Sequence, residues 1–125
     1  MATAGDYRKG WALRYLREAK AELLAAQKTP SIAQSLMLEA MRKAQAAIYY
    51  SLGDPAFIES IVYQAFLTQQ QSRDEPVLKC LIEIERTIQR LSQISTSELP
   101  RTMEEVDDIV KIASDIVELF TGEKA

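Results

Sequence analysis

Cap-type residues stand immediately before proline in this 125-residue chain at Thr29-Pro30 and Asp54-Pro55, and Asp74-Glu75-Pro76 opens on the same device. A threonine or aspartate oxygen can accept from the free N–H groups of a first helical turn, and proline at the first helical position gives up an N–H that would have no partner there. Gly53 and Gly122 mark helix ends, because glycine tolerates the left-handed conformation just past a C-terminus. These signals divide the chain into five segments, each with apolar residues at alternating spacings of three and four. No segment alternates with period two. The predicted fold is therefore all-α, a compact antiparallel bundle of about five helices in a single domain spanning 1–125, with an N-terminal tail at 1–5 and a linker at 92–101 before the last helix.

The first segment is expected to begin at Asp6 and run to Lys28, burying Ala12, Leu16, Ala19, Leu23 and Ala26. The second runs from the Thr29-Pro30 cap to Leu52, with Ala33, Met37, Ala40, Ala44 and Ala47 on one face, an alanine content that permits close approach of a neighbouring helix. The third presents Phe57, Ile58, Ile61, Val62, Ala65 and Phe66 as its apolar side, followed by a polar stretch from Gln69 to Asp74 with a break near Ser72. The fourth carries the stripe Val77, Leu81, Ile84, Ile88 and Leu91. In the last, Thr102-Met103-Glu104-Glu105 fits a capping box, ahead of the stripe Val106, Ile109, Ala113, Ile116 and Phe120. The pattern lacks a fixed repeat period, and the signature residues of a tetratricopeptide array are missing.

Charge is mildly acidic overall, −3 at neutral pH, but unevenly spread. Residues 1–28 carry six basic side chains (Arg8, Lys9, Arg14, Arg17, Lys20, Lys28) against three acidic ones (Asp6, Glu18, Glu22), whereas residues 102–125 carry seven acidic against two basic. The two ends should attract, which predicts that the first and last helices are neighbours. A general nucleic-acid binder would show a basic excess that this chain lacks. A single cysteine, no signal-like apolar stretch at the N-terminus and no run long enough to span a bilayer point to a soluble protein of the reducing cytoplasm, away from membranes.

No residue is histidine, which removes imidazole metal sites and every Ser-His or Cys-His catalytic device. Cys80 lies beside an apolar stripe and reads as a small buried hydrophobe. The glycines are scattered, so no phosphate-cradling loop exists. Glu104, Glu105, Asp107 and Asp108 crowd what should be the first turn of the last helix, where they would offset the helix dipole rather than bind metal. No catalytic residue, metal or cofactor is expected. Tyr7, Trp11 and Tyr15 recur every four residues and are assigned to core edge or a dimer contact; with Tyr49-Tyr50 they exceed what so small an interior can hide, which predicts a homodimer. Arg14 and Arg17, three apart, and Arg86 and Arg90, four apart, form two small basic ridges, expected to pair with Glu18 and Glu85. The candidate ligand- or partner-binding residues are thus Arg14, Arg17, Tyr49, Tyr50, Arg86 and Arg90, since guanidinium can hold phosphate bidentately and a phenol ring can stack on a base.

The order of segments resembles a HEPN domain. The stretch from Trp11 to Leu24 is similar to its first helix, the alanine-rich stretch from Ala33 to Leu52 ending in Gly53 to its second, and the stretch from Thr102 to Phe120 to its last. Many members of that family are ribonucleases that use an Arg-x4–6-His motif late in the bundle, often across a homodimer. Arg86 and Arg90 fall in the corresponding helix, but the positions where the histidine belongs are Leu91, Ser92 and Gln93, or Ser95, Thr96 and Ser97. The resemblance therefore implies a non-nuclease member, one that pairs with a nucleotidyltransferase or binds nucleotide or RNA without cutting it. The alternative is a nucleic-acid-processing enzyme working through arginine and carboxylate groups alone.

Overall fold

The computed structural model describes residues 4–68 and 76–125, and among these five α-helices account for nearly all of the chain, with no strand. They are α1 (Ala4–Lys28), α2 (Ala33–Leu52), α3 (Pro55–Thr68), α4 (Pro76–Leu91) and α5 (Leu99–Thr121). The centre of the molecule is an antiparallel α1–α2 hairpin, against which α5 packs on both helices; α4 joins α2 and α5, and among the described residues α3 touches only α2 and α4. Ala12, Leu16, Ala19, Leu23 and Ala26 of α1 are buried as the spacing predicts, facing an α2 that buries Ala33, Met37, Ala40, Met41, Ala44, Ala47 and Ile48. Leu81, Ile84 and Leu91 of α4 and Val106, Val110, Ala113 and Val117 of α5 close the same core. The first and last helices are neighbours, and Lys9 meets Glu123 across them at 3.2 Å.

Several boundaries differ from expectation. Ala4 and Gly5 already belong to α1, so residues 1–5 are not wholly a tail. Thr29 makes no side-chain cap; Pro30–Ile32 forms a 3-10 turn, and α2 starts only at Ala33. The proposed linker at 92–101 is largely structured, because Thr96–Glu98 is a 3-10 turn and α5 begins at Leu99 with Pro100 in its first turn. That earlier start puts Thr102 inside the helix and buried, which dissolves the capping box and frees Glu105 to pair with Arg90. It also places Glu104 to Asp108 beyond the first turn, where dipole compensation fades. The break near Ser72, the polar stretch Gln69 to Asp74 and the Asp74-Glu75 cap lie outside the described residues.

The Asp54-Pro55 device holds. Asp54 Oδ1 accepts from the backbone N–H of Ala56 at 2.9 Å and lies 3.5 Å from that of Phe57, so α3 starts within two residues of the end of α2. This abrupt reversal depends on Gly53, which is not in the expected left-handed conformation but at φ 158° and ψ −140°, a region open essentially to glycine alone. Gly122 ends α5 in the left-handed conformation, φ 76°, donating its N–H to the Glu118 carbonyl at 2.8 Å. Nothing stands within 4 Å of a Cβ at either position, so any cost of substitution is conformational. Gly53→Ala is expected to lower stability by about 1–3 kcal/mol and Gly122→Ala by about 1 kcal/mol. Urea midpoints of the two variants check this, and equal midpoints for wild type and Gly53→Ala would contradict the strained reversal.

Candidate functional site

Pairing α1 with α2 antiparallel brings the last turn of α2 beside the first half of α1. Tyr7, Trp11 and Tyr15 lie one turn apart along α1, and Tyr50 of α2 completes the row. Trp11 and Tyr15 have ring centroids 5.5 Å apart, Tyr15 and Tyr50 stack at 5.7 Å, Trp11 and Tyr50 at 6.4 Å, and Tyr7 meets Trp11 edge-on at 6.2 Å. Contacts of this kind add about 0.5–1.5 kcal/mol per pair beyond the area they bury. Trp11, Tyr15 and Tyr50 are half-buried by one another, leaving Tyr7 as the exposed member. The Arg14 guanidinium lies 5.1 Å from the Trp11 ring centre, a cation–π arrangement that fixes a positive charge on the aromatic row.

Beside this row, where α1 begins and α2 and α5 end, is a cleft of about 190 Å³ lined by Arg8, Lys9, Tyr50, Gly53 and Phe120 among others. Arg8 is half-buried and Lys9 engages Glu123. Two helix C-termini converge here, and the basic side chains offset their partial negative charge. The face thus combines guanidinium, ammonium, phenol and indole. Such groups bind anions and planar rings.

The six residues singled out from sequence do not form one site. Arg14 and Tyr50 share the aromatic face, and Arg17 is exposed one turn further along α1. Tyr49 is 7% exposed and points elsewhere: it sits with Gln45, which donates to Glu85 of α4 at 3.1 Å. Burial, reinforced by the charges of Glu85 and Glu59, raises the Tyr49 phenol well above its ordinary pKa, so it serves the interior rather than a ligand. Arg86 pairs with Glu83 at 3.0 Å rather than with Glu85, and Arg90 reaches Glu105 of α5. Both lie on α4, which makes no contact with α1 among the described residues. The four-residue spacing of Tyr7, Trp11 and Tyr15 was the sequence signal for the face; nothing in the sequence marked Arg8, which acquires its place only through the ends of α2 and α5.

Elsewhere on the hairpin, Lys43 of α2 pairs with Glu22 of α1, with Glu18 and Glu39 nearby. The Lys43 pKa is raised, chiefly by that hydrogen bond, while the second Glu22 oxygen is buried without a partner. Among the described residues no group of three or more acidic or cysteine side chains is arranged to hold a metal ion, and no helix is long and apolar enough to cross a membrane. Cys80 is buried, and its thiol is pushed up to about 11 by that burial, with Glu83 adding to the effect. A scan against protein-family models found no match, and searches of curated proteins and of solved structures found none either.

Two outcomes follow from this geometry. Since Trp11 is the only tryptophan, its near-ultraviolet dichroism reports the stack: Tyr50→Leu should diminish that signal and cost about 1 kcal/mol, whereas Tyr49→Phe should leave the signal intact. Cys80, protonated and enclosed, should react with a thiol reagent at neutral pH far more slowly in the native protein than in urea. Equal rates would contradict its burial.

Proposed function

We propose that this chain is a non-catalytic, HEPN-like binding or adaptor module that holds a phosphate-bearing ligand, nucleotide or RNA, on the face formed by Arg8, Arg14, Trp11, Tyr15 and Tyr50. The observation that carries this reading is the Arg14 guanidinium set against Trp11 within a stacked aromatic row, next to a basic cleft. A guanidinium can pair bidentately with phosphate while an aromatic row offers π-surface to a base, and neither needs histidine. Arg17 lies close enough along α1 to lengthen the same basic ridge. The HEPN likeness supports the module acting beside a nucleotidyltransferase partner and as a homodimer. Against the alternative of a nucleic-acid-processing enzyme, Arg86 and Arg90 are engaged with Glu83 and Glu105 on the bundle surface.

The test is titration of mononucleotides and short RNAs against the pure protein at low and then physiological salt. Saturable binding that persists at physiological salt, weakened at least tenfold in Arg14→Ala and in Tyr50→Leu but unchanged in Arg86→Ala/Arg90→Ala, is the expected result. Absence of binding overturns the nucleotide or RNA reading and leaves the protein-adaptor role. RNA cleavage that disappears in the Arg86→Ala/Arg90→Ala variant overturns the non-catalytic reading.

A further inference from the structure

Apart from the aromatic row, α3 carries a concentration of exposed large apolar side chains. Phe57, Leu67, Tyr63 and Ile61 of this 14-residue helix are 66, 61, 57 and 45% exposed, whereas the side chains that α3 fully buries are the smaller Val62 and Ala65. Phe57 and Ile61, expected to face the core, point outward instead. The cause is position: α3 lies at the edge of the bundle, touching among the described residues α2 and α4 only, so it has a covered side and an open one. A helix this short is marginal by itself in water, and one that is apolar on both sides is built for burial on both.

We infer that the open face of α3, centred on Phe57, Ile61 and Leu67, is where a second copy of this chain docks, α3 against α3 about a twofold axis. This rests on the self-association proposed above and assigns it a place. Two features select a second copy. An isologous contact sets a surface against itself, so a face bearing one sign of charge would repel its twin. Here Ser60 and Gln64 separate the apolar residues, and Glu59, the one charged residue of α3, is exposed but two residues from Phe57 and from Ile61, on the other side of the helix. The area also fits. A helix of this length presents an apolar patch of roughly 400 Å², so two copies together bury roughly 800 Å², short of the ~1,000 Å² of a stable specific interface and in the range of a weak, transient one. The expected dimer is accordingly weak, with Kd on the order of tens of micromolar.

Sedimentation equilibrium from about 5 to 500 µM is expected to show a monomer–dimer equilibrium in the wild type and a monomer throughout in Ile61→Glu/Leu67→Glu, with circular dichroism and melting midpoint retained. Spin labels at Ser60→Cys, in a Cys80→Ala background, should then report a short distance between copies, a readout that does not depend on the glutamate variant folding. A dimer unaffected by the glutamate pair, or one with widely separated labels, overturns the placement on α3 while leaving self-association standing. A wild type that stays monomeric throughout overturns both, leaving the face to a different partner protein.

Discussion

The closeness of α1 to α2 governs the rest of the molecule. With Ala12, Ala19 and Ala26 on one helix and Ala33, Ala40, Ala44 and Ala47 on the other, the seam contains little side-chain volume, so the two backbones can approach at the short end of helix-packing distances. A seam of small residues contributes modest hydrophobic area per residue. What it gives instead is room beside the hairpin for larger side chains: Leu16, Met37, Met41 and Ile48 share one buried cluster with Val106, Val110 and Val117 of α5. Replacing one of those alanines with a larger residue would wedge apart two helices that both contact α5.

The same closeness explains where the large aromatic residues sit. Trp11, Tyr15 and Tyr50 are too bulky for the seam, so they lie along its outer edge and pack upon one another. Further along that edge the seam carries the part-buried Glu22–Lys43 pair. One edge of the hairpin therefore changes from aromatic and basic near Trp11 and Arg14 to a lysine surrounded by Glu18, Glu22 and Glu39. The polarity of that edge, more than the net charge of the chain, decides where an anion can settle.

Much of this was legible in the sequence. The three-four spacing of Ala12, Leu16, Ala19, Leu23 and Ala26 needs only one fully covered side to become a buried face, and α1 has one. Asp54 could be recognised as a cap because the chain reverses there within two residues, a purely local event. Thr102 was misread because its motif is equally compatible with a position inside a helix; what moved the start of α5 back to Leu99 was Pro100, acceptable in a first turn, and the packing of Leu99 against the core. For α3, periodicity could identify apolar residues but not count the neighbours available to cover them, so Phe57 and Ile61 were assigned inward. Phe120, near the end of α5 and 49% exposed, failed for the same reason. The site was half legible: the aromatic spacing was visible on α1, while the union of Arg8, Arg14 and Tyr50 is a product of tertiary structure, and Tyr49, adjacent to Tyr50 in sequence, is turned about 100° around the helix into the interior.

The topology keeps the two proposed surfaces apart. Helix α3 has no contact with α1, and the aromatic face is built from α1 and the last turn of α2, so a partner on one need not displace a ligand on the other. They are nonetheless joined through Gly53, which lies at the cleft beside Tyr50 and is also the residue whose positive φ aims α3 away from α2. A change in the direction of α3 must be absorbed at that glycine, because Asp54 fixes the first turn of α3 and Tyr49 fixes the last turn of α2 in the core. Energetic coupling between the surfaces, where it exists, can act through this backbone joint as well as through the packing of α3 on α2, and a joint of high conformational cost transmits orientation better than it permits swinging.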